Sequence, residues 1–99
     1  MAELYRVEII SNQSVQEDIT ERLEQEIPSV QYTLIPEVQG RGIRTKKSGD
    51  TVWPEMNFVL FTYVELEAAQ RIKKIIEAVK ERFPHEGISL FFTKAEDLS

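Results

Sequence analysis

Between Met56 and Val64 the residues Met56, Phe58, Leu60, Thr62 and Val64 alternate with Asn57, Val59, Phe61 and Tyr63, so a strand here is mostly apolar on both faces. Successive side chains of a strand point to opposite sides, and helices packed on one side leave the other uncovered. The closing strand repeats the pattern, with Ile88, Leu90 and Phe92 opposite Phe91. Full burial of a Phe or Leu side chain is worth about 1.5–3 kcal/mol, so leaving several in water is costly. An uncovered apolar sheet face of this kind marks an interaction surface. The expected occupant is further copies of the same chain.

The flanking segments supply two strands before it and two helices around it. Residues 3–10 alternate Tyr5, Val7 and Ile9 against Arg6 and Glu8, a period of two that predicts a first strand. Ser14 with Glu17 three residues later has the form of a capping box. Val15, Ile19, Leu23 and Ile27 then recur every fourth residue as the apolar stripe of a helix that Pro28 ends. A second strand is expected from Val30 to about Val38, with Val30, Tyr32, Leu34 and Val38 on one face. Pro36 lacks an N–H and points to an edge strand or a bulge. Gly40 to Pro54 reads as a loop rich in Gly, Ser, Asp and basic residues. Leu66, Ala69, Ile72, Ile76, Val79 and Phe83 mark the buried face of a second helix. Its acids lead (Glu65, Glu67) and its bases trail (Lys80, Arg82), as the helix dipole favours. Pro84 and Gly87 precede a last strand over 88–93, and residues 94–99 read as a polar tail. Two β-α-β halves of similar length imply an α+β, ferredoxin-like βαββαβ domain spanning residues 1–99, an antiparallel sheet with both helices on one face.

Composition narrows the function classes. With no cysteine, the chain has no disulfide, no thiolate nucleophile and no Cys-based metal site. No apolar run approaches the ~18 residues of a membrane span, and Met1-Ala2-Glu3 lacks the basic and apolar segments of a secretory signal, so the cytoplasm is the default expectation. A net charge of −5 argues against general nucleic-acid binding. That charge is uneven: Arg41, Arg44, Lys46 and Lys47 fall within one acid-free stretch, while the rest of the chain holds eight cations against seventeen anions. Carboxylate pairs such as Glu24/Glu26 and Glu96/Asp97 have no apolar surroundings to raise one pKa, and one His without Cys assembles no nucleophile–base pair; the expectation is not an enzyme.

Val38-Gln-Gly-Arg-Gly42, opening the basic stretch, resembles the Val-Lys-Gly-Phe-Gly segment at the base of the T-loop in PII signalling proteins. Trp53-Pro54 is similar to the Leu-Pro step before the family's apolar strand, and Phe91/Phe92 through Glu96-Asp97 is similar to its Phe-x-x-x-Glu-Asp ending. With the order of elements, the resemblance covers most of the chain. It implies a homotrimer with projecting T-loops, ligand sites in clefts between subunits, and regulation of a transporter, channel or enzyme. The likeness is to a divergent member. The T-loop, residues 40–54, is short and has no equivalent of the modified tyrosine. Ile43 and Arg44 stand where PII proteins place Arg and Gln, and Arg82-Phe-Pro-His-Glu-Gly-Ile88 replaces the glycine-rich second ATP-binding segment. The basic C-terminal stretch is also missing.

Candidate site residues follow. Gly40 and Gly42 let backbone N–H groups approach an anion, and Arg41, Arg44, Lys46 and Lys47 could neutralise phosphate, which makes the loop base a candidate site for a nucleotide-like anion, an adenine nucleotide among them. The alternative is a solvated turn. Trp53, the single tryptophan, is either a partner contact or a pin for the loop on its own or a neighbouring subunit. His85, the single histidine, reads as a surface turn residue; as a metal ligand it needs companions such as Glu86. The same element order serves RNA-recognition domains. Phe58-Val59-Leu60-Phe61 echoes part of their third-strand motif, but Pro54-Glu55-Met56-Asn57 stands where a basic-Gly-aromatic-Gly run belongs. A structural trimer that binds no ligand is the remaining alternative.

Overall fold

Alternation decides which side of each strand meets the helices. In the computed structural model, which describes residues 3–46 and 49–99 (the backbone alone over 42–46 and 49–54), β1 runs Leu4–Asn12 and buries Val7, Ile9 and Ser11 on one side. A 3-10 turn at Gln13–Val15 leads into α1, Gln16–Glu26. β2 (Thr33–Lys46), β3 (Gly49–Val64), α2 (Leu66–Arg82) and β4 (Ile88–Ala95) complete the chain. All neighbouring strands are antiparallel, in the order β2-β3-β1-β4. This is the ferredoxin-like arrangement the periodicities imply.

The register aligns Ile9 with Leu60 and Leu90, and Ser11 with Phe58 and Ile88, so one side of the sheet is a continuous apolar floor. Val15, Ile19, Leu23 and Ile27 pack on it from the α1 side; Ala69, Ile72, Ile75, Ile76 and Val79 do so from α2. Both stripes lie where the i+4 spacing puts them, with Ile75 added. Leu66, in the first turn of α2, is half exposed, and Phe83 caps the helix while only partly buried. Thr62, paired with Val7, is buried on this side, and its hydroxyl is satisfied by donating to the Gln31 carbonyl at 2.5 Å.

Three local features differ from expectation. The capping box does not form: the Asn12 side chain accepts the Ser14 N–H at 2.9 Å instead, and caps the 3-10 turn ahead of α1. The second strand starts at Thr33 rather than Val30. It also continues through the segment read as a loop, since Val38–Lys46 and Gly49–Asn57 pair residue for residue up to Lys46 opposite Gly49. A two-stranded arm needs only backbone hydrogen bonds, so Gly, Ser and Lys, poor strand formers where a core must be packed, do not prevent it. Finally, Lys94 and Ala95 pair with Tyr5 and Leu4, so the polar tail begins at Glu96.

Pro36 behaves as its missing N–H requires. β2 is an edge strand, and the register jumps between Ile35 and Val38, leaving two residues without a ladder partner. The Gln13 side-chain amide donates to the Pro36 carbonyl at 2.6 Å and ties this bulge to the turn before α1. Beyond the bulge the arm extends the longest dimension of the molecule to 53 Å.

Candidate functional site

Helices cover one side of the sheet; the other lies open. On it β1 presents Arg6, Glu8 and Ile10, β3 presents Val59, Phe61 and Tyr63, β2 presents Ile35, and β4 presents Phe91 and Thr93. Tyr63 is 52% exposed, Phe91 54% and Ile35 44%, values far from those of a finished core. Phe61 and Tyr63 meet edge to face, with centroids 6.3 Å apart at 82°.

Arg6 organises the middle of this surface. Its Nη2 donates to Glu8 Oε1 at 2.8 Å and its Nη1 to the Tyr63 hydroxyl at 2.9 Å. The guanidinium lies 4.4 Å from the centre of the Phe61 ring, a cation–π contact. The Glu8 hydrogen bond first, and the Tyr63 bond second, raise the Arg6 pKa above its ordinary value, so it is charged at any working pH. The sequence candidates did not include this cluster. The signal was present, since Arg6 and Glu8 share the side of β1 that faces away from Val7 and Ile9, next to the non-core side of the two-faced third strand.

The sequence candidates lie at two places. Gly40 is half-buried in β2 opposite Glu55, and a Cβ built on it would run into the Asn57 side-chain amide, so the bare backbone is what lets Asn57 lie across it. Arg41 is exposed and pairs with Pro54. The backbones of Gly42, Arg44 and Lys46 pair with Trp53, Thr51 and Gly49 along the arm. Their side chains, that of Trp53 and all of Lys47 lie outside the described residues. His85 is exposed in the turn between α2 and β4, and the Glu86 N–H donates to the Phe83 carbonyl at 3.1 Å. Among the described residues no group of three or more His, Cys, Asp or Glu could hold a metal, so His85 and Glu86 gain no third ligand from this copy.

A cavity of about 440 Å³ opens at the far end of the sheet from the arm, lined among others by Val30, Tyr63, Val64, Glu65 and Arg71. Val64 pairs with Tyr5 near the start of β1, whereas the arm leaves the sheet beyond Asn57, at the end of β1. Within one copy, then, the cavity and the glycines at the arm base are not brought together. No helix among the described residues is long and apolar enough to cross a membrane.

No family model matches the chain, and no curated protein matches it in sequence. Solved structures do. A candidate PII-like signalling protein from Thermus thermophilus is 25% identical, with a TM-score of 0.65 over 95% of this chain and 88% of that one. GlnK from B. subtilis, in complex with ATP, is 14% identical with a TM-score of 0.71 over 95% and 84%. CPII, a nitrogen regulatory PII-like protein from Thiomonas intermedia bound to ADP, AMP and bicarbonate, is 15% identical with a TM-score of 0.61 over 96% and 94%. CutA1 proteins match as well, at lower identity. The chain therefore has the ferredoxin-like fold that PII and CutA1 proteins share.

Proposed function

We propose that this chain is a PII-like regulatory protein that binds and signals rather than catalyses. Copies assemble as a homotrimer with their open sheet faces turned inward, hold a small anionic, nucleotide-like ligand in the clefts between them, and dock a partner through the basic arm. The observation that carries this reading is the open face itself, a row of apolar and aromatic side chains that one copy leaves in water. Ile35, Tyr63 and Phe91 are about half exposed, so covering each recovers roughly half of the ~1.5–3 kcal/mol that full burial of a large apolar side chain is worth, and Phe61 and Val59 add smaller amounts.

The separation of the cavity from the arm base supports shared clefts, because a site that uses both needs two copies. The ADP, AMP and bicarbonate held by CPII indicate which ligands to try first. Gly40 and Arg41 are the described residues of the arm base that would meet an anion, with Gly42, Arg44, Lys46 and Lys47 further along the same segment. Trp53, opposite Gly42, is the proposed partner contact. A positively charged arm on an acidic body suits an acidic protein surface, or anionic lipid beside a transporter, on the cytoplasmic side of a membrane. A bound ligand acts by favouring one arm conformation, which requires unequal affinity for two arm states.

Calorimetric titration of the assembled protein with ATP, ADP, AMP, cyclic nucleotides and bicarbonate tests the ligand part. Saturable heat with at least one adenine nucleotide, lost in the Arg41→Ala variant, is the expected result. Silence with all of them removes the ligand and leaves a structural assembly. Phe61 and Tyr63 beside Arg6 also resemble a base-stacking surface. Glu8 neutralises that cation, however, so no shift of single-stranded RNA in a low-salt gel is expected.

A further inference from the structure

Across the body of the open face, from Ile35 through Val59, Phe61 and Tyr63 to Phe91 and Thr93, the described residues carry one cation and one anion, Arg6 and Glu8. They sit side by side on β1, with side chains about a third exposed (32% and 31%). Cross-strand pairing sets Arg6 between Tyr63 and Thr93, and Glu8 between Phe61 and Phe91. The pair is thus held in an aromatic frame.

Its bonds are only partly used. A guanidinium offers five N–H donors, and within this copy Arg6 bonds Glu8 and Tyr63 through two of its nitrogens. Glu8 Oε2 meets no donor among the described residues. Phe61 lies under the guanidinium at 4.4 Å, and with the bonds to Glu8 and Tyr63 it favours one orientation of the fork before any contact is made.

We propose that Arg6 and Glu8 form a self-complementary ionic clasp between copies of this chain, Arg6 of one copy meeting Glu8 of the next where the open faces stack. The inference rests on the face-to-face assembly proposed above and names the residues that decide how the faces align. A second copy is the occupant because the same face supplies both signs. An apolar partner would bury the pair and leave its unused donors and acceptor without bonds, which is costly. A polyanion would meet the Glu8 carboxylate. A buried pair of this kind contributes register more than affinity: misaligned faces leave charges unpaired, so one alignment is selected.

Sedimentation over a dilution series, with circular dichroism to confirm folding, compares the wild type with Arg6→Met, Glu8→Gln and the double variant Arg6→Met/Glu8→Leu. The pair is partly exposed in one copy, so each variant is expected to fold. Each single change leaves a desolvated charge or polar fork without its counterpart and is expected to raise the dissociation constant at least about thirtyfold. The double change removes both charges and is expected to return to within about tenfold of wild type, with more than one assembled mass because the alignment is no longer chosen. Single variants that assemble as tightly as wild type overturn the clasp and leave the assembly standing. Single effects that simply add in the double variant overturn it as well. A wild type that does not assemble at all removes the assembly reading and the clasp together.

Discussion

Tyr32 lies between α1 and β2, and its hydroxyl donates to Glu24 Oε2 at 2.5 Å. That bond to a carboxylate, with partial burial and the negative charge of Glu24 behind it, raises the Tyr32 pKa above its ordinary value near 10. Because the folded value stands above the unfolded one, the stabilisation is fully present below about pH 10 and is lost as pH rises through the raised value. A phenolate absorbance titration is expected to show one tyrosine ionising late, and Glu24→Gln is expected to bring it back toward the ordinary value. An unchanged titration in that variant contradicts the assignment. Tyr32 was legible in the sequence as part of an apolar face, but its hydroxyl partner was not, because Glu24 lies eight residues away on a helix whose rotation only packing fixes. Arg6 illustrates the same limit. A polar residue alternating with Tyr5 and Val7 reads as solvent-facing until the register sets it beside Tyr63 and Glu8.

At the level of elements, the start of α1 gives the sharpest contrast between sequence and structure. Ser-Asn-Gln-Ser offers three side chains able to cap, and the spacing to Glu17 favours Ser14; the chain instead uses Asn12, with a 3-10 turn in between. Loss of a side-chain cap costs about 1 kcal/mol. Asn12→Ala is therefore expected to lower stability by about that amount in urea unfolding at fixed protein concentration, while Ser14→Ala is expected to change it by less than about 0.5 kcal/mol. Equal losses in the two variants would restore the capping box. The helices themselves were legible because a core-facing stripe must repeat every three to four residues, and Val15, Ile19, Leu23 and Ile27 do so without a gap. The bulge was legible from Pro36. The arm was not: strand preference is mostly a preference for packed pleated surfaces, and a two-stranded ladder such as Val38–Lys46 with Gly49–Asn57 leaves few such signals in its sequence.

At the scale of the whole molecule, the proposed function rests on the open face. A sheet with helices on one side and Ile35, Val59, Phe61, Tyr63 and Phe91 on the other has two surfaces to bury and material within one copy to bury only one. This asymmetry was visible from Met56 to Val64 before any fold was known, because both parities of the strand are apolar. The location of the charged pair within that face required the register. The clefts between copies, the ligand and the Arg6–Glu8 alignment proposed above all depend on the faces meeting. Light scattering coupled to size exclusion, at micromolar concentration and moderate salt, measures this directly. A single species at about three times the 11.5 kDa chain mass is expected. A stable species at the mass of one chain, with Tyr63 and Phe91 left in water, would contradict it.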